Sequence, residues 1–140
     1  MFLLLLFALL LASCASGNSS EGPGVYSKAV GAADETSAIQ SLRTIATAEA
    51  QLRSSSGSYG DFNTLVQAGF LDSRFAGGSP NLKGYSFTVR ASESEFAVSA
   101  DPQTTETQPT TGSRHFYLDS SDNAVHFNVK QAASKNDPML

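Results

Sequence analysis

Cysteine occurs once in the 140 residues and tryptophan not at all. A single thiol excludes an intrachain disulfide and a cysteine-only zinc site, so Cys14 needs an explanation of its own. Charge is sparse as well: nine Lys and Arg stand against thirteen Asp and Glu, for a formal net charge of −4. Phosphate recognition needs clustered cations, and the basic residues here are scattered, so no nucleic acid is expected as a partner. No G-x-S-x-G elbow occurs, and neither histidine has an orienting acid nearby in sequence. No catalytic residue, cofactor or small-molecule substrate is therefore assigned, and the chain is expected not to be an enzyme. With 11 Gly and 5 Pro, its length fits one small domain with loose ends.

What the chain does have is a strongly apolar start. Met1 to Ala12 reads MFLLLLFALLLA and is followed by the small residues Ser13, Cys14, Ala15, Ser16 and Gly17. As a helix the run would reach roughly 18 Å, well short of the ~30 Å hydrocarbon layer. Its length and its small-residue end suit a secretory signal. Leu11, Ala12, Ser13 and Cys14 resemble a bacterial lipobox, and that resemblance implies a diacylglycerol on the Cys14 thiol, cleavage before it and acylation, such as palmitate, of the new amine. Several acyl chains at about 0.8 kcal/mol per buried CH₂ hold a protein on a membrane, where one chain binds reversibly. Residues 1–13 are thus read as a lipoprotein signal peptide, and the protein as exported and lipid-anchored at the cell envelope. Ala15 stands where an aspartate commonly retains lipoproteins in the inner membrane, which leans towards the outer membrane where a cell has two.

Residues 14–24 are rich in Ser, Gly and Asn and read as a tether. From about Val25 to Arg53 apolar residues recur at three- and four-residue steps, the mark of a helix. Asp34 or Thr36 would cap a second start if Gly31 interrupted it, and Gly57 would end it. Arg43, Thr44, Thr47, Glu49 and Gln51 are placed on its wet face. A short helix follows, capped by Asp61 and stopped by Gly69. Alternation at a period of two then marks Tyr85, Phe87 and Val89, and again Phe96, Val98 and Ala100. These predict a hairpin pairing Val89 with Phe96, Phe87 with Val98 and Tyr85 with Ala100, turning near Ala91 to Ser94. Asp101 to Gly112 reads as an exposed connection. A second hairpin sets Phe116 and Leu118 against Phe127 and Val125, with His115, Tyr117, His126 and Asn128 facing solvent. Residues 131–140 are expected to fray. The fold class is α+β, a long N-terminal helix on a roughly four-stranded antiparallel sheet.

The order of these elements and several strings resemble a family. Ala33 to Glu49 (ADETSAIQSLRTIATAE) is similar to the helix that follows the membrane half of type IV pilin and pseudopilin-like proteins. Tyr59-Gly60 leading into Phe62, Leu65, Ala68-Gly69 and Leu71-Asp72 resembles their helix-to-sheet loop, and Gly84-Tyr85-Ser86-Phe87 their first strand. Val98 to Pro102, Thr111-Gly112, His115-Phe116-Tyr117 and a last hairpin at Asp119 to Val125 continue the likeness, which spans about 33–129. The resemblance implies a pilin-like domain over 25–130 and pilus or type II secretion proteins as partners. A lipobox and tether stand where prepilins carry a basic leader and a long apolar helix, so ordinary filament assembly is not implied.

Local chemistry points to plain structural roles. His115 and His126 lie near Tyr117 without a third ligand, so no metal is assigned to them. Asp119 to Asn123 has oxygens at alternate positions, as some pseudopilin calcium loops do, yet lacks the Gly and distal Glu of a calcium loop and reads as a hairpin turn. Glu93, Glu95 and Glu106 read as solvated loop carboxylates. The functional expectation is a non-enzymatic, membrane-anchored interaction module. The alternative is a stand-alone surface adhesin or ligand-binding lipoprotein.

Overall fold

The computed structural model describes residues 23–103 and 112–140, with side chains from Lys28 onward. Helix α1, Pro23–Ser56, is continuous over 34 residues and therefore about 50 Å long. Proline suits a first helical position, because its missing N–H would have no partner there. The helix thus takes in Pro23 and Gly24, which the composition assigned to the tether. Gly31 does not interrupt it, and the Thr36 hydroxyl bonds back to the Ala32 carbonyl at 2.9 Å, so it caps nothing. The buried stripe runs through Ala38, Leu42, Ile45, Glu49 and Leu52, with Ala48 beside it. These alternate steps of three and four keep one narrow face against the sheet. Gly57, at φ +85, closes the helix by giving its N–H to the Arg53 carbonyl at 2.8 Å.

Helix α2, Phe62–Gln67, starts on Asp61, whose carboxylate accepts from the Thr64 N–H at 2.8 Å. Gly69 stops it in the left-handed region at φ +78. Phe62 and Leu65 point into the core, and a 3-10 turn at Ser73–Phe75, begun by Asp72, adds Phe75. The Phe75 ring meets Phe62 at 6.3 Å and stands edge-on to Phe87 at 6.1 Å, within the range where such pairs attract.

Five antiparallel strands form the sheet in chain order: β1 Asn81–Leu82, β2 Tyr85–Ala91, β3 Phe96–Pro102, β4 His115–Asp119 and β5 His126–Asn128. The additional strand β1 folds onto β2 through Lys83 and Gly84, both at positive φ, as a two-residue hairpin turn requires. Between β2 and β3 the register pairs Ala91 with Phe96, Val89 with Val98 and Phe87 with Ala100. That is a slip of two residues from the sequence expectation. Such a slip leaves every side chain on its predicted face, because the strand period is two. The turn moves to Ser92–Glu95, where the Ser92 hydroxyl accepts from the Glu95 N–H at 3.2 Å. Phe116 pairs with Phe127 as expected, although β5 is short and Val125 lies just before it. Tyr85, Phe87, Phe96, Val98, Ala100, Phe116 and Leu118 are all buried on the face that meets α1.

Residues 131–140 do not fray. The Phe127 N–H donates to the Pro138 carbonyl at 3.0 Å and the Leu140 N–H to the Val125 carbonyl at 2.9 Å, so the end of the chain lies along the free edge of β5. Pairing of His126 with Met139 continues the sheet there. Among the described residues no helix is long and apolar enough to cross a membrane.

Candidate functional site

Leu11, Ala12, Ser13 and Cys14 lie outside the described residues, as do Glu106 and most of the Asp101 to Gly112 connection. Among the described residues, polar groups cluster in three places along α1 and over the sheet, apart from those around the two histidines.

Two of them hang from the buried stripe of α1. Glu49, expected on the wet face, is fully buried. Its Oε2 accepts from the Gly60 N–H at 3.0 Å, while Oε1 has no partner among the described residues. Burial pushes its carboxyl up to about 7 despite the Gly60 bond, with Asp61 adding to the rise. Gly60 leaves room at this contact, where a Cβ would lie 2.6 Å from Leu52 Cδ2 and 3.0 Å from Thr64 Cβ. Four turns towards the N-terminus, Glu35 grips the entry to β4. Its Oε1 accepts from the N–H groups of Ser113 and Arg114 at 3.0 and 3.2 Å, and its Oε2 from Arg114 Nε and Nη2, both at 2.8 Å. The Arg114 guanidinium also lies over the rings of Phe116 and Phe127 at 5.5 and 5.3 Å. Tyr85 completes the clamp by donating to the Arg114 carbonyl at 3.0 Å. Both glutamates fall at the three- and four-residue steps shared by Ala38, Leu42, Ile45 and Leu52, so the burial of Glu49 and the half-burial of Glu35 were legible in the spacing even though their charge argued against it.

The third place is the sheet face away from α1. A groove of about 500 Å³ lies there, floored by Ala97 and Tyr117 and flanked by Arg90, Glu95, Asp119 and Lys135. The Tyr117 hydroxyl donates to Asp119 Oδ2 at 2.9 Å, and the other Asp119 oxygen accepts from the Ser121 N–H and hydroxyl at 2.9 and 2.5 Å. Burial opposes the Asp119 charge, but these three donors outweigh it and hold the carboxyl below the usual range. The tyrosine is pushed up to about 12, by burial first and then by that same carboxylate. Sequence reasoning missed this groove because one of its walls, Ser134 to Asn136, belongs to the segment expected to fray.

Compared with family models, curated proteins and solved structures, the chain matches none.

The histidines are not brought together as one site. His115 Nδ1 sits 2.6 Å from Asp101 Oδ1, an acid supplied by β3. His126, expected to face solvent, is 3% exposed because the C-terminal segment covers it. Its Nε2 meets Asp122 Oδ2 at 2.9 Å and its Nδ1 the Asp137 carbonyl at 2.7 Å. In the Asp119 to Asn123 turn, Asp119 is thus committed to Tyr117 and Ser121, and Asp122 to His126 and the Ala124 N–H. Glu93 and Glu95 are exposed in the Ser92–Glu95 turn, as expected, and the Glu93 carbonyl accepts from Arg53 Nη1 at 2.9 Å.

Proposed function

We propose that the protein is a non-enzymatic, pilin-like lipoprotein held at the envelope by lipid on Cys14, where it acts as a structural or interaction module beside a type IV pilus or type II secretion apparatus. The observation that carries this reading is the union, in one chain, of the lipobox Leu11 to Cys14 with a long helix laid along an antiparallel sheet. The α+β architecture supports the pilin likeness, and the 33–129 strings give it its particular form. A lipid in place of a polymerising helix makes the protein a companion of such a machine rather than a filament subunit. Ala15 directs it to the outer membrane where there are two. His126 is buried with both ring nitrogens bonded within the fold, an arrangement that suits support of the structure.

The anchor is tested by mass spectrometry of the membrane fraction. The mature chain is expected to start at Cys14 with acyl chains attached, and Cys14→Ser is expected to lose both lipid and membrane retention. An unlipidated protein in sheared pili would overturn the anchor. Absence of any pilus or secretion component after crosslinking in cells would overturn the partnership.

The groove favours a second reading, a stand-alone surface adhesin or ligand-binding lipoprotein. A concave site with Arg90, Lys135 and Glu95 around a tyrosine floor suits a polar ligand. Retained surface binding in cells lacking pilus and secretion genes would favour it.

A further inference from the structure

We propose that His126 is a proton-operated latch: while its ring carries two protons it fastens the C-terminal strap, residues 131–140, along β5, and the strap loosens when one proton leaves. The geometry behind this is a mismatch between ring and partners. Nδ1 faces the Asp137 carbonyl at 2.7 Å and Nε2 faces the Asp122 carboxylate at 2.9 Å, and both partners accept hydrogen bonds. A neutral imidazole has one N–H and one lone pair, whereas the imidazolium has two donors. The neutral ring therefore gives up one bond and turns a lone pair towards an oxygen. With the ring buried, water does not readily take the vacated place.

The groups around the ring favour the charged form. Asp122 faces it from the turn, Asp137 from the strap and Asp119 from the end of β4, while the Tyr117 ring packs at 6.4 Å. Lys135 acts on the Asp119 side of this neighbourhood. The imidazolium is held above its usual range, by the Asp137 carbonyl first and then, against the burial penalty, by Asp122 and Asp119. A raised histidine stabilises the latched state fully below the ordinary histidine value, about 6.5, and loses that contribution as pH rises through the raised one.

The remaining fastenings of the strap are few. They include the Phe127 and Leu140 backbone bonds and an Asn128 Nδ2 bond to Asp137 Oδ1 at 2.8 Å. Because Ser134 to Asn136 wall the groove, release of the strap opens it and leaves an edge of β5 unpaired. The inference stands independently of the lipoprotein reading.

Hydrogen exchange of the full chain, followed by mass spectrometry from about pH 5.5 to 8.5 and corrected for intrinsic rates, tests it. Peptides covering Val125 to Val129 and Ser134 to Leu140 are expected to exchange about tenfold faster at the alkaline end, the effect of losing one hydrogen bond to a charged group. A peptide covering β3 is expected to stay slower than the strap peptides at every pH, following only the global loss of stability. The midpoint is expected to coincide with the titration of His126 seen by NMR. Asp122→Asn keeps an acceptor for Ala124 and removes the charge, and is expected to move that midpoint to lower pH. Glu49 titrates in the same range, so the series is repeated in Glu49→Gln, which is expected to leave the strap profile in place. Strap protection constant across the range, or never lower than that of β3, would overturn the latch. So would a midpoint that Asp122→Asn leaves unmoved or that Glu49→Gln abolishes.

Discussion

Glu49 shows how spacing and chemistry compete at a single residue. Its position, seven residues after Leu42 and three before Leu52, puts it on the face that α1 buries, whereas its charge argues for water. Position wins because moving this one side chain to solvent would rotate Leu42, Ile45 and Leu52 away from the core. The carboxyl instead rises to about 7. A carboxyl raised on folding stabilises the protein below its unfolded value and loses that contribution as pH climbs through the folded value, about 4.5 to 7 here. Glu49→Gln removes this titration while leaving an oxygen for the Gly60 N–H. The stability of the variant relative to wild type is therefore expected to rise by on the order of 3 kcal/mol between pH 5 and 8, a span covering most of the shift. Urea unfolding at the two pH values reads the difference directly, and a difference that does not change with pH would contradict the buried ionisation.

At the scale of elements, what was legible was whatever repeats along the chain. The apolar steps of α1, the Asp61 cap and Gly69 stop of α2, and the faces of β2, β3 and β4 all follow from local periodicity and capping chemistry. The slip between β2 and β3 was not legible, because alternation at a period of two cannot distinguish Val89 opposite Phe96 from Val89 opposite Val98. The Ser92 hydroxyl, bonded within its own turn, helps to set that register. Contacts between distant segments were equally out of reach. Glu35 meets Ser113 and Arg114 almost eighty residues away, and nothing in either segment alone announces the clamp. Gly112 gives the clearest test of it. A Cβ there would overlap Glu35 Cγ and lie 2.5 Å from the Tyr85 hydroxyl. Gly112→Ala is expected to push Glu35 off the Arg114 N–H and cost about 1–3 kcal/mol, the range of lost hydrogen bonds to a charged group that is half-buried. Thermal unfolding measures the loss, and Glu35→Ala added to Gly112→Ala is expected to cost much less than the sum of the two, since both break the same contact.

For the whole molecule, the strap and the buried acid act in the same direction. His126 and Glu49 both stabilise the fold while protonated, and both lose that contribution as pH rises towards and beyond neutrality. Asp61, Asp119, Asp122 and Asp137 have the opposite sign. Each is held below its usual value by hydrogen bonds, so their contributions are present above about pH 4 and fade below it. Net charge adds to the slope on the alkaline side, because a chain of pI near 5.0 repels itself more as pH climbs. These terms cross on the acid side of neutrality, whereas many proteins are most stable between about pH 5 and 8. The melting temperature is therefore expected to peak between about pH 4 and 5 and to decline steadily to pH 8. Glu49→Gln should flatten that decline from about 4.5 to 7, and Asp122→Asn the part that begins at the ordinary histidine value, about 6.5, above which His126 is raised. A wild-type maximum at or above neutrality would show that neither proton is held by the fold.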